Sequence, residues 1–136
     1  KGNYSMKEPV CIALLFADRV IVENNGKKGI IGIFSKIFAQ TFPVQTAPWG
    51  IYAAATNIVG KHDFALTLTN METNQDILPI TGQMQSQNPE ELIELIFNTA
   101  GVTIPAPGKY SLAFTIDGEL MSSIVLYAEV LKQPQS

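Results

Sequence analysis

Apolar and polar positions alternate along much of the chain, and this pattern predicts β-strands. Phe64, Leu66 and Leu68 fall on one face of a strand, while the Ala and Thr residues between them fall on the other. Ile and Val together number 23 against 11 Leu, which favours strands because branched Cβ atoms fit a pleated sheet. Further strands are predicted over residues 10–17, 19–23, 29–34, 49–57, 77–85, 109–116 and 121–131.

Two turn signals join neighbouring strands into hairpins. One is the polar turn around Gly26, and the other is Asp117-Gly118, a dipeptide that strongly favours a two-residue hairpin turn. Seven or eight short strands follow one another with no alternating helices. The pattern therefore predicts an all-β protein, an antiparallel β-sandwich.

Residues 88–97 are the ambiguous part of the pattern. Asn88 and Pro89 begin a segment that is typical of a helix start, yet Ile93, Leu95 and Phe97 alternate as in a strand. A strand over residues 92–97 is the preferred prediction because it suits the sandwich. One short helix near 89–97 is the alternative.

The strand over residues 77–85 is predicted to lie at a sheet edge. Pro79 has no N–H to donate to a neighbouring strand, and the chain has no Lys or Arg between His62 and Gly108. Natural edge strands usually carry charge or are covered. We therefore expect a second copy of the chain to cover this edge in a homodimer, or residues 88–100 to fold over it.

Composition and charge narrow the classes of partner. Nine basic and 12 acidic residues give a formal net charge of −3, which argues against nucleic-acid binding. The single cysteine, Cys11, excludes an internal disulfide and is predicted to be a small buried side chain. Its apolar run is too short for a membrane span and lacks a cleavage site, so we expect a cytoplasmic protein.

One domain is predicted over residues 9–131. Residues 1–8 are expected to be an N-terminal tail in which Met6 is the natural start, and residues 132–136 a C-terminal tail. A chain of 136 residues is long enough for one domain with a substantial core.

The entry to the last hairpin resembles the penultimate strand of immunoglobulin-like sandwiches. The segment Pro105-Ala106-Pro107-Gly108-Lys109-Tyr110 places a Gly-x-Tyr at the start of an alternating run. In those sandwiches the tyrosine hydroxyl bonds back to the preceding loop. The resemblance implies structural roles for Gly108 and Tyr110 here, together with Asp117 and Gly118 in the turn that follows.

A second resemblance covers residues 9–131. An apolar strand that ends in Asp18, followed by Ile30-Ile31-Gly32-Ile33-Phe34 and Phe42-Pro43, resembles a family of small uncharacterised bacterial proteins. That resemblance implies a single immunoglobulin-like sandwich and a bacterial source. It implies no activity and transfers no functional residue.

The sequence predicts no catalytic residue, metal site or cofactor. One His and one Cys do not make a zinc site, and the Asp residues lack calcium-loop spacing. His62 has no identifiable nucleophile to activate. Glu90, Glu91 and Glu94 are interpreted as a solvated cluster, although a hydrolase using Glu91 or Glu94 is a third hypothesis.

Four residues are candidates for binding. Asp18 and Arg19 follow eight apolar residues, and Trp49 and Tyr52 follow a Pro- and Thr-rich loop. The first functional hypothesis is a non-enzymatic module that binds protein, including a second copy of itself. The alternative is a carbohydrate-binding sandwich in which Trp49 and Tyr52 act as surface aromatics that stack on a sugar.

Overall fold

The computed structural model describes residues 8–132, which contain eleven β-strands and no helix. The strands are β1 (Val10–Val22), β2 (Lys28–Phe34), β3 (Lys36–Ala39), β4 (Val44–Gln45), β5 (Trp49–Thr56), β6 (Gly60–Asn70), β7 (Asp76–Ser86), β8 (Ile93–Thr99), β9 (Thr103–Ile104), β10 (Gly108–Ile116) and β11 (Glu119–Val130). The all-β prediction is confirmed. The predicted count of seven or eight strands is wrong, because β3, β4 and β9 are too short to show alternation.

The strands form three sheets. The four-stranded sheet has the order β2-β1-β5-β8, the five-stranded sheet has the order β3-β11-β10-β6-β7, and β4 pairs with β9. All pairs are antiparallel except β3 with β11, which run parallel. The expectation of a purely antiparallel arrangement is therefore wrong at this one pair.

Both large sheets contribute side chains to one buried cluster. Phe16 and Ile51 come from the four-stranded sheet, and Leu66, Leu112 and Phe114 come from the five-stranded sheet. Each of these five residues is at most 1% exposed. The alternation predicted for residues 64–69 and 109–116 is confirmed, since its apolar positions are the ones that face this cluster.

The ambiguous segment is a strand. β8 pairs with β5 through the register Ala55↔Ile93 to Trp49↔Thr99, so the alternative of a helix is wrong. The same pairing places β8 in the four-stranded sheet. β7 lies at the edge of the five-stranded sheet, as predicted, and residues 88–100 do not fold over it because β8 is hydrogen-bonded elsewhere.

Tyr110 closes the loop that precedes β10. Its ring is fully buried, and its hydroxyl donates a hydrogen bond to the Ala106 carbonyl oxygen at 2.6 Å and accepts one from the Ala106 N–H at 3.3 Å. This is the contact that the resemblance to immunoglobulin-like sandwiches implied. Gly108 begins β10, and Asp117 and Gly118 both have positive φ, as a tight two-residue hairpin requires.

The predicted tails lie almost wholly outside the described residues. Glu8 and Lys132 are the only described residues of residues 1–8 and 132–136, and both are exposed. Residues 8–132 contain no helix with the length and hydrophobicity needed to cross a membrane.

Candidate binding groove

Asp18 lies within β1 rather than at its end. The strand continues to Val22, so the expectation of an apolar strand that ends in Asp18 is wrong. In the β1–β2 register Ala17 pairs with Ile33 and Arg19 with Ile31, which places Asp18 opposite Gly32.

Gly32 makes room for the Asp18 side chain. Its φ is +72°, and a Cβ atom at this position would overlap the Asp18 carboxylate. Only a glycine both adopts this backbone conformation freely and leaves that space open. Asp18 and Gly32, which belong to two of the segments that carried the second resemblance, are therefore in direct contact.

Two clefts meet at Asp18, and we call them together the Asp18 groove. The first cleft has a volume of about 340 Å³, the second has a volume of about 250 Å³, and both are lined by Asp18, Pro48 and Trp49. The other apolar residues that line the first cleft are Phe34, Ile37, Phe38, Val44 and Ala47. Arg19 lines the second cleft and not the first.

Trp49 is a fixed part of the groove wall. It is 5% exposed, and its ring packs edge-on against Phe16 and Phe34 with centroids 5.7 and 6.3 Å away. Its indole N–H donates to Thr46 Oγ1 at 3.1 Å, and that oxygen also accepts the Val102 N–H at 3.0 Å. The wall therefore belongs to the core and is held by hydrogen bonds on its loop side.

Asp18 carries the unneutralised charge of the first cleft. The ion pairs within residues 8–132 join Lys28 to Glu94, Lys36 to Glu129 and His62 to Asp117, so the Asp18 carboxylate has no basic partner there. Lys36 also lines the first cleft, but its ammonium lies 3.8 Å from the Glu129 carboxylate. The first cleft thus combines apolar walls with one unpaired acidic group.

Tyr52 lies away from the groove, in a second apolar cluster. That cluster joins it to Ala17, Val20 and Ala54, and Tyr52 is 8% exposed. Its hydroxyl donates a hydrogen bond to the Glu94 carboxylate. Burial, and then this contact with Glu94, raise the pKa of Tyr52 to about 12.

Glu94 links the two edges of the four-stranded sheet. The hydrogen bond from Tyr52, and then the Lys28 ammonium at 2.9 Å, lower the pKa of the Glu94 carboxyl. Lys28 is on β2 and Glu94 is on β8, the outermost strands of that sheet. Their side chains meet beside Tyr52, on the face of the sheet where Ala17 and Ala54 are buried.

The positions of these side chains contradict two hypotheses, carbohydrate binding by surface aromatics and hydrolysis by paired carboxylates. Trp49 and Tyr52 are buried, so they are not surface aromatics, and neither offers an exposed ring face on which a sugar could stack. Glu91 accepts a hydrogen bond from Ser86 Oγ at 2.6 Å, whereas Glu94 contacts Tyr52 and Lys28. The two carboxylates therefore have separate partners and do not form the facing pair that a hydrolase requires.

His62 of β6 contacts Asp117, which lies in the turn between β10 and β11. The His62 Nδ1 atom lies 2.6 Å from Asp117 Oδ2, and its Nε2 atom lies 2.8 Å from the Val59 carbonyl oxygen. Both partners are acceptors, so the protonated imidazolium satisfies both contacts. The hydrogen bond with Asp117, and then the one with Val59, raise the pKa of His62, while His62 lowers the pKa of Asp117.

We expect the stability of the protein to fall as the pH rises through the raised pKa of His62. This contribution is fully present below the ordinary pKa of 6.5, because the folded state then holds the proton more tightly than the unfolded chain. Denaturant unfolding at pH values from 6 to 9 should show the decline. His62→Gln should flatten it, and Lys61→Gln, which removes the neighbouring charge, should not.

The imidazole can be followed directly, since His62 is the only histidine. An NMR titration that gives His62 its ordinary pKa or a lower one would contradict this account of the pH dependence.

Cys11 and the acidic residues form no metal site within the described part of the chain. Residues 8–132 contain no group of three His, Cys, Asp or Glu side chains placed to hold a metal ion. Cys11 is half-buried rather than fully buried, and burial raises the pKa of its thiol. A thiol with a raised pKa is a weaker nucleophile at neutral pH.

One family matches nearly the whole chain. Its description is a family of unknown function (DUF6941), and the match covers residues 12–129. The matched region begins in β1 and ends in β11, so it includes both large sheets. No curated protein matches the chain.

Proposed function

We propose that this chain, which belongs to the DUF6941 family of unknown function, is a non-enzymatic protein-interaction module that pairs with a second copy of itself. We assign it one domain over residues 9–131 and a place in the bacterial cytoplasm. We also assign its fold as an immunoglobulin-like β-sandwich. The shared core of the two large sheets and the contact between Tyr110 and Ala106 favour that fold.

The open edge of β7 is the observation that carries the proposal. Among the described strands, β7 pairs with β6 alone, over the register Gly60↔Ser86 to Thr69↔Asp76. Its other side presents unpaired backbone groups over 11 residues. Such an edge is a template for another strand, and Asp76 and Pro79 are the residues of β7 that discourage pairing.

The edge of β7 can pair with the same edge of a second copy across a two-fold axis. Antiparallel pairing centred on Thr81 would place Asp76 of one copy opposite Ser86 of the other, so the charged residues would not meet. The same patch then serves both copies, which is the arrangement of most homodimers. The backbone hydrogen bonds of the joined strands would satisfy groups that water satisfies in the monomer.

Charge placed on the edge tests the proposal. Light scattering at micromolar concentration should give twice the 14.8 kDa of one chain. Thr81 is exposed on β7, so Thr81→Lys should convert the dimer to monomer, because lysine on an edge strand opposes pairing. Ser123→Lys is the matched control, since Ser123 is exposed on β11, which is separated from β7 by β10 and β6 in the same sheet.

The outcomes distinguish a partner that pairs with β7 from a partner that binds elsewhere on the five-stranded sheet. A monomeric wild-type protein would overturn the proposal. Dissociation by Ser123→Lys but not by Thr81→Lys would also overturn it, because the partner would then lie at β11 rather than at β7.

A further inference from the structure

We propose that the first cleft of the Asp18 groove binds the lysine or arginine side chain of a partner polypeptide. This site is distinct from the β7 edge, because its lining residues come from β1 to β5 and the loops between them. It needs neither a second copy of this chain nor the pairing of β7.

The charge of the cleft selects a cation. Asp18 has no basic partner among the described residues, and Lys36 is already beside Glu129. Arg19 lines the second cleft and forms no ion pair with Asp18 in the described part of the chain. A cationic ligand completes the pairing that the chain itself leaves open.

The apolar walls of the cleft favour a cation that carries a hydrocarbon chain. Phe34, Ile37, Val44 and Pro48 line the first cleft beside Asp18. The methylene groups of lysine and arginine pack along such a surface while their charged ends reach a carboxylate. A volume of about 340 Å³ is at the lower end of ligand sites, which suits one side chain better than a large cofactor.

The backbone of the cleft leaves room for its acidic group, and one wall of the cleft is fixed before any ligand arrives. Gly32 leaves open the space that the Asp18 carboxylate occupies, and Trp49 is held by its hydrogen bond to Thr46. Fixed walls lower the entropy that a ligand loses on binding. The Gly32 position is therefore part of the site although it offers no side chain.

The probe is a capped Ala-Leu-Arg-Leu-Ala peptide, compared with the same peptide containing citrulline in place of arginine. Trp49 is the only tryptophan, so its indole N–H gives one NMR signal that reports on the cleft. We expect the arginine peptide to shift this signal in a saturable way, with weaker binding at high salt. The citrulline peptide should bind at least about tenfold more weakly, since it lacks the charge.

Asp18→Asn is the decisive variant. The substitution keeps the shape of the side chain and removes its charge, so binding of the arginine peptide should fall about tenfold or more. Asp76→Asn removes an exposed carboxylate from β7 and should leave binding unchanged. An unchanged spectrum away from the cleft shows that Asp18→Asn remains folded.

Three results would overturn the assignment. They are equal binding of the arginine and citrulline peptides, wild-type affinity in Asp18→Asn, and an indole signal that does not move with the arginine peptide. Each of them leaves the β7 proposal intact, because the mass of the protein is measured without any peptide.

Discussion

Phe114→Ala is expected to lower the free energy of unfolding by about 3–5 kcal/mol, a large share of the stability of a typical domain. Phe114 is fully buried on β10, between Leu66 of β6 and Ser122 of β11 in register. Its ring belongs to the cluster that both large sheets share. Removing it leaves a cavity that neighbouring strands cannot close without breaking their own pairing. Denaturant titration measures the change.

Phe38→Ala is the matched control for this substitution. Phe38 is 54% exposed on the short strand β3, so the same truncation should cost under about 1 kcal/mol. If Phe114→Ala were no more destabilising than Phe38→Ala, the two sheets would not share the core described here.

Gly101→Ala is expected to have the second largest effect. The φ angle of Gly101 is +109°, and a Cβ atom there would overlap the Thr46 carbonyl oxygen. Thr46 cannot move aside easily, because its N–H donates to the Val102 carbonyl at 2.9 Å and its Oγ1 accepts the Val102 N–H. The backbone conformation alone costs a non-glycine residue about 1–3 kcal/mol, and the overlap adds to this.

Gly118→Ala separates the two contributions. Gly118 also has a positive φ, +81°, but a Cβ atom at this position would meet no other atom within 4 Å. Its substitution therefore measures the backbone effect without the overlap. We expect Gly101→Ala to lower the melting temperature more than Gly118→Ala, and equal effects would contradict the tight contact at Thr46.

The strands that face the shared core could be predicted from the sequence because burial on one face imposes a period of two. Leu66 and Leu112 are buried while their neighbours Thr67 and Ala113 are not, which is the pattern the sequence contains. The hairpin at Asp117-Gly118 was equally predictable, since its backbone angles favour those two residue types.

Contacts between distant segments were not predictable in this way. β3 pairs in parallel with β11 over only four residues, and neither length nor composition marks such a pair. The ion pair between Lys28 and Glu94 joins side chains 66 positions apart in the sequence. Alternation identifies a buried face, but it does not specify which strand lies beside which.

The groove illustrates the same limit. Asp18, Arg19 and Trp49 were candidates from local sequence, and the structure places all three along one groove. Tyr52 is close to Trp49 in the sequence, but it points to the opposite face of β5, where it joins the second cluster. The sequence analysis does not identify Gly32 as a site residue. Its position between two isoleucines of a strand nevertheless indicates a bulge or a close approach of another group to the backbone.

Amide hydrogen exchange along β7 is the most direct test of the central claim, that this edge pairs with a second copy. On an edge strand, alternate N–H groups point away from the sheet and exchange readily unless another strand accepts their hydrogen bonds. We predict that outward amides of β7 are protected at high protein concentration and lose protection on dilution or in Thr81→Lys. Outward amides that exchange rapidly at every concentration would contradict the claim.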